Sequence, residues 1–319
     1  MISKPRHSLL SWIKAILWAL FLFLLVRTFC LQSFIINSSG MEENLFPGDF
    51  ICVNKLSFGA RFPITPLAVP IFSERNSSKT KNNFLSWLQL PYYRIPGYDL
   101  LKRGDLLLFN YPMDTGFPID KRQMYIKRCI GLPGDTIKII RSRVTVNQQE
   151  IKIKNTVIPP KIVKRLKHPT KKIKKIYRPD IVQNGDDDLF LFPENQQFKW
   201  NLSDFGPLII PCKGKTIKLT KQNMILYKTA ILLHEKNNNI LFSDSGLYEN
   251  GLILKEYTFR QNYYFVLDDN RENAKDSRYW GFLPEDHIIG KATFCLFSYN
   301  SDARGLEKIR LKRFFTYLK

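Results

Sequence analysis

MYIKRCIGLPGDTIKIIRSRVTVN, residues 124–147, holds three short runs, MYIKRCI, TIKII and RVTVN, rich in β-branched residues and marked off by the turn-forming LPGD and by Asn147. Runs of this length and composition read as strands, and several in close succession argue for antiparallel pairing. Within MYIKRCI, alternation puts Tyr125, Lys127 and Cys129 on one face and the isoleucines on the other. The pattern extends outward to FICVNKL (50–56), DLLLFNY (105–111), YYFVLD (263–268) and ATFCLFS (292–298). Residues 60–100 carry several prolines and read as loop with short elements. The expected fold is mainly β.

One feature does not fit a β domain. AILWALFLFLLV (15–26), flanked by Lys14 and Arg27, is an unbroken apolar run. Taken from Leu9 to Leu31 it spans ~30 Å of hydrocarbon at about 1.5 Å per residue, and the basic residues near its ends can reach the headgroups. A cleaved leader would be followed by an A-x-A-like site, whereas this chain continues RTFCLQSFIIN. Nor do small residues precede Cys30 as in a lipoprotein signal. The run is therefore expected to stay as an anchor. Lys4, Arg6 and His7 precede it, which places the N-terminus in the cytoplasm and everything after residue 32 on the outer face of the bilayer. The expected organisation is a cytoplasmic start (1–8), an anchor (9–31), a first part of the β core (32–149), a large inserted domain (150–262) and a second part of the core with a basic tail (263–319).

The net charge of +21 over 319 residues raises the question of nucleic acid. Much of the excess lies in residues 151–178, which have neither a zinc-ligand spacing nor the aromatic pattern of an RNA-binding sheet. A solvated or lipid-facing charge run is the better account, and no nucleic-acid partner is expected. The five cysteines are widely spaced and form no CxxC, the four histidines are scattered, and HExxH does not occur. Neither a disulfide framework nor a metal site or cofactor is expected.

Four stretches carry the chemistry, in this order: SSGMEENLFPGDFICVNKLSFG (38–59), KRGDLLLFNYP (102–112), YIKRCIGLPGDTI (125–137) and DDNRENAKDSRYWGFLPEDHIIGKA (268–292). Together, and placed after an anchor, they resemble type I signal peptidase, the bacterial membrane serine protease that removes signal peptides from exported proteins. The stretches FGPLIIPCKGKTIKLT (205–220) and YTFRQNYYFVLDDNR (257–271) are similar to the extended insert of Bacteroidetes-type members. The resemblance implies a large β domain at the membrane surface, no cofactor, and substrates with small residues at −1 and −3. It also implies a mechanism in which a neutral lysine activates a serine. Such a lysine must lie among apolar groups that disfavour its charge. Lys127 matches that base. Asp269, Asn270, Arg271, Asp276, Ser277 and Arg278 match the family's bracing motif, with Asp269 expected to pair with Arg128.

The match breaks at the nucleophile. Counting back from Gly48-Asp49, Met41 falls on the family methionine and Gly40 on its serine. Asp268 stands where the family has glycine, and Ala274 where a serine supports the lysine. Ser38 matches the hydroxyl that stabilises the oxyanion. If residues 38–41 are extended, Ser39 faces away from Lys127, although the freedom of Gly40 could turn the chain to present it. Two readings stay open: a peptidase using Ser39, and an inactive relative that binds signal peptides or a partner peptidase. In either case Gly40→Ser is expected to set a hydroxyl on the face of Lys127.

Overall fold

The computed structural model describes residues 9–42, 44–66, 87–151, 191–237, 239–243, 246–271, 274–300, 303 and 305–318. The basic residues before the anchor, and the lysine-rich stretch beyond Ile151, lie outside the described residues.

Helix α1, Leu9–Phe29, is the apolar run. Its 21 residues are about 31 Å long, and Leu10–Phe29 has a mean hydropathy of 1.9 with none of its apolar window buried by the rest of the chain. Length and composition suffice to cross a bilayer. The helix stops two residues before the expected boundary. Leu31 already pairs with Asn54, and the Lys55 amine donates to the carbonyls of Arg27 (2.9 Å) and Thr28 (3.1 Å), satisfying groups that the last turn leaves open.

The strands in chain order are β1 Leu31–Ile35, β2 Asp49–Asn54, β3 Leu106–Asn110, β4 Met124–Gly131, β5 Thr136–Ile140, β6 Arg143–Val146, β7 Gln149–Glu150, β8 Phe205–Ile209, β9 Thr216–Lys218, β10 Ile240–Ser243, β11 Gly246–Glu249, β12 Leu252–Ile253, β13 Glu256–Thr258, β14 Tyr263–Leu267, β15 Leu283–Pro284, β16 Ile288–Ser298 and β17 Thr316–Tyr317. Two further helices are α2, Lys221–Thr229, and the short α3, Ser277–Trp280. Each of the seven runs expected as strands is one.

The main sheet runs β1-β2-β16-β3-β4-β14-β15, with β17 on β16, and its pairings are antiparallel. Apolar clusters pack on both of its faces. Leu106 and Leu108 of β3 point into a cluster with Met41, Leu45, Ile51, Val53 and Ile126. Leu107 and Phe109 point the other way, against Cys129, Val266 and Trp280. Alternation along a single strand thus feeds two cores. Burial of each such side chain contributes roughly 1.5–3 kcal/mol.

A second sheet, β7-β6-β5-β8, begins beyond the LPGD turn. Here β8 pairs with β5, and Phe205, Leu208 and Leu226 share a core with Ile130, Ile137, Val144, Tyr263 and Phe265. The boundary expected at 149/150 falls inside β7, and the described part of residues 150–262 packs as one lobe with residues 136–150.

Candidate active site

Lys127 and Arg128 are neighbours on β4 and so point to opposite faces. The adjoining strand β14 ends at Leu267, which pairs with Arg128. Continuing that register sets Asp268 beside Lys127 and leaves Asp269 to the other face. Each basic residue on β4 therefore meets one acidic residue at the end of β14.

On the first face, Lys127 is 4% exposed and its amine lies 2.5 Å from both Asp268 carboxylate oxygens. It also sits 5.8 Å from the centre of the Tyr125 ring. Asp268 accepts a further bond from the Lys275 amide at 2.9 Å, while its own amide donates to Asp276 at 3.1 Å. Burial pushes the Asp268 carboxyl up to about 6, against the opposing pull of Lys127. The apolar pocket expected around Lys127 is thus corrected: the amine is buried, but against a carboxylate. The amine is directed onto both oxygens of Asp268.

On the second face lie the residues expected to brace the site. Arg128 donates to both Asp269 oxygens, at 2.8 and 2.7 Å, and to the Gly104 carbonyl at 2.7 Å. Asp269 also accepts from Asn44 at 2.7 Å. The Asn270 amide donates to the Gly40 carbonyl (2.9 Å), and its side chain to the Ser39 carbonyl (3.2 Å). The three residues 39, 40 and 44 are therefore tied to residues 269 and 270. Asp276 caps α3 and pairs with Arg278 through both oxygens at 2.9 and 2.8 Å, and Arg278 reaches the Leu202 carbonyl of the second lobe. The Ser277 hydroxyl accepts from the Val266 amide. Arg271 is buried beside this group. Burial and the nearby Arg278 push its guanidinium down to about 10, and Nε and Nη1 have no hydrogen-bond partner among the described residues.

Residues Ser39–Met41 form a 3₁₀ turn, whereas Ser38 before it is extended and exposed. The alternation expected for residues 38–41 does not hold, because successive side chains on such a turn are about 120° apart. Met41 is 1% exposed and anchors the turn in the core. A Cβ placed on Gly40 would stand 3.0 Å from Asp268 Oδ1 and 3.1 Å from its Cγ and Oδ2. A side chain at position 40 would therefore meet the same carboxylate that holds the Lys127 amine. A serine at position 40 thus requires the Asp268 carboxylate to give by a few tenths of an ångström. In the sequence Asp268 reads only as a departure from the family's glycine. Its signal was the doubled aspartate at the end of a strand, where consecutive residues must serve opposite faces. Asn44 had no such signal.

The sequence pattern described as "Signal peptidase, peptidase S26" matches residues 9–203 and 209–297. Signal peptidase I of Buchnera aphidicola subsp. Baizongia pistaciae is 29% identical over 85% of this chain and 71% of that protein. Signal peptidase I of Haemophilus influenzae is 25% identical over 99% of this chain and 78% of that protein. A crystal structure of a signal peptidase I from Enterococcus faecalis covers 60% of this chain and 97% of that chain at 16% identity, with a TM-score of 0.23. The family pattern takes in α1, the main sheet apart from β17 and the last residue of β16, and both pairs of basic and acidic residues, and this chain belongs to the signal peptidase, peptidase S26, family.

Proposed function

We propose that this chain engages the signal peptides of exported precursors at the outer face of a bacterial cytoplasmic membrane, anchored by α1 with its N-terminus inside. Its Ser/Lys chemistry is held off by the Lys127–Asp268 pair. The 2.5 Å contact between amine and carboxylate carries this reading. General-base action needs an amine whose lone pair is aimed at the attacking hydroxyl, and this amine is turned onto both oxygens of a carboxylate instead. Gly40 supplies no attacking atom, and a side chain at that position would press on the Asp268 carboxylate. The bracing around Asp269 and Asn270 is kept, which supports a substrate groove with retained shape.

A second reading has its own observation. The 3₁₀ turn removes the strand geometry that would aim Ser39 away from Lys127. In this reading Ser39 attacks once Lys127 is freed from Asp268.

The full chain in vesicles, given a precursor with an A-x-A site, separates the two. The first reading expects the precursor to be retained with little cleavage. Steady cleavage lost in both Ser39→Ala and Lys127→Ala would overturn it in favour of the second. Failure to retain the precursor at all would remove both. Orientation is checked separately. Protease added to spheroplasts should shave the β domain and spare the N-terminus, and protection of the whole chain would contradict the topology.

A further inference from the structure

A cavity of about 150 Å³ opens beside the last turn of α1. Arg27 and Thr28 of that turn line it, together with Lys55, Arg61, Asp120 and Arg122. Four cations thus face one carboxylate. Asp120 is engaged by the Thr65 amide and hydroxyl, at 2.9 and 2.8 Å through one oxygen. None of the four cations forms an ion pair with a described carboxylate. Arg61 donates instead to the Asp286 carbonyl and the Asn110 side chain. Arg122 donates to the Phe117 and Pro112 carbonyls and faces His287 Nε2. The Lys55 amine is spent on the helix carbonyls.

Partly buried cations whose hydrogen bonds go only to neutral acceptors repel one another, and Asp120, Asp114 and Asp286 offset that repulsion only in part. Burial, Arg61 and Arg27 push Lys55 down to about 8, and burial and Arg94 push Arg61 down to about 10. An anion in the cavity would relieve that repulsion. The depth of the cavity indicates its source. It lies within one helical turn of the end of the apolar helix, where a spanning α1 meets the headgroups. Phe29, Phe62 and Tyr93 form an edge-to-face series there, with ring centres 5.1 and 5.5 Å apart. Phe62 and Tyr93 are both exposed, and aromatic residues concentrate at this level of a membrane. The volume suits a compact headgroup rather than a peptide.

We propose that this cavity binds the phosphodiester of an anionic lipid headgroup and so fixes how the β domain sits on the bilayer. The site is separate from Lys127 and stands whether or not the chain cleaves.

The test uses the full chain in vesicles of phosphatidylcholine with or without phosphatidylglycerol, with retained lipid read by native mass spectrometry after transfer to neutral detergent. Phosphatidylglycerol should be retained in preference to phosphatidylcholine and should raise the thermal midpoint. Arg27→Gln and Lys55→Gln should each weaken retention about fivefold, as expected for about one charge at a membrane surface. Replacing Lys171, Lys172, Lys174 and Lys175 with Gln should leave retention unchanged. An unchanged midpoint in phosphatidylcholine shows that a variant is folded. If Lys55→Gln is not, Arg27→Gln decides, since the Arg27 side chain makes no hydrogen bond among the described residues. Equal retention of the two lipids, or undiminished retention in the folded variants, would overturn the proposal. So would loss confined to the four-lysine variant, or protection by inorganic phosphate with no preference between the lipids.

Discussion

Two ion pairs lie side by side between β4 and the end of β14, and they differ in how they compare with the family pattern. Arg128 with Asp269 is the brace that the family resemblance implies, linked through Asn44 and Asn270 to the turn at residues 39–41. Lys127 with Asp268 occupies the reactive side, where the resemblance implies a lone lysine, a glycine and a serine. The difference teaches that support and reactivity are physically separable here. A strand's two faces are independent environments, so the reactive face can be rewritten while the bracing face continues to hold the same backbone.

The sharpest way to break the comparison is to undo the rewriting. Asp268→Gly together with Gly40→Ser frees the Lys127 amine and opens the space that a serine Cβ needs. Loss of the nucleophile in a related serine-protease site costs ~10⁶-fold in kcat. The double variant should therefore gain several orders of magnitude in precursor cleavage over the parent. Gly40→Ser alone should gain little, because its Cβ would press on a carboxylate held by Lys127 and Lys275. Initial rates on one precursor check both. A single variant as active as the double would show that Asp268 moves aside readily.

The bracing side should respond in stability. Arg128→Met leaves Asp269 buried without its guanidinium, which typically costs about 3–5 kcal/mol. A thermal midpoint lower by roughly 10 °C is expected, and a shift within a degree or two of the parent would deny the brace its structural weight.

The reactive side should show itself in pH dependence. The Asp268 carboxyl is raised from 3.8 to about 6 by burial, so the folded chain binds more protons than the unfolded chain across that interval. Its contribution to stability is whole below the unfolded value and is lost as pH rises through about 6. Relative to Asp268→Asn, the parent should lose about 2–3 kcal/mol between acid and neutral pH. Urea midpoints at several pH values measure this, and a parallel pair of curves would contradict it. The smallest effect belongs to Asn44→Ala, which removes one hydrogen bond to Asp269 at about 1.5 kcal/mol. It should lower stability slightly while leaving precursor retention in place.

Much of this molecule was legible in its residues. Strand periodicity marked FICVNKL, DLLLFNY and MYIKRCI, because a half-buried strand writes its faces into alternate positions. The anchor was legible because bilayer thickness fixes the length of an apolar helix. The order of four motifs pointed to the family, and Arg128 with Asp269 came with it. Local pattern also showed that Gly40 lacks a hydroxyl.

Only the tertiary structure decided what replaces that hydroxyl. Lys127 and Asp268 are 141 positions apart, and their contact depends on the register of β4 against β14. The approach of Gly40 depends further on a 3₁₀ turn that no short-range pattern announced. The same holds for Arg27, Lys55, Arg61 and Arg122, whose convergence on one cavity follows from how α1 meets the sheet. Charge and volume are shared between distant segments only once the backbone brings them within contact, so an aspartate that reads as a departure from glycine in the sequence becomes, in the folded chain, the partner of Lys127.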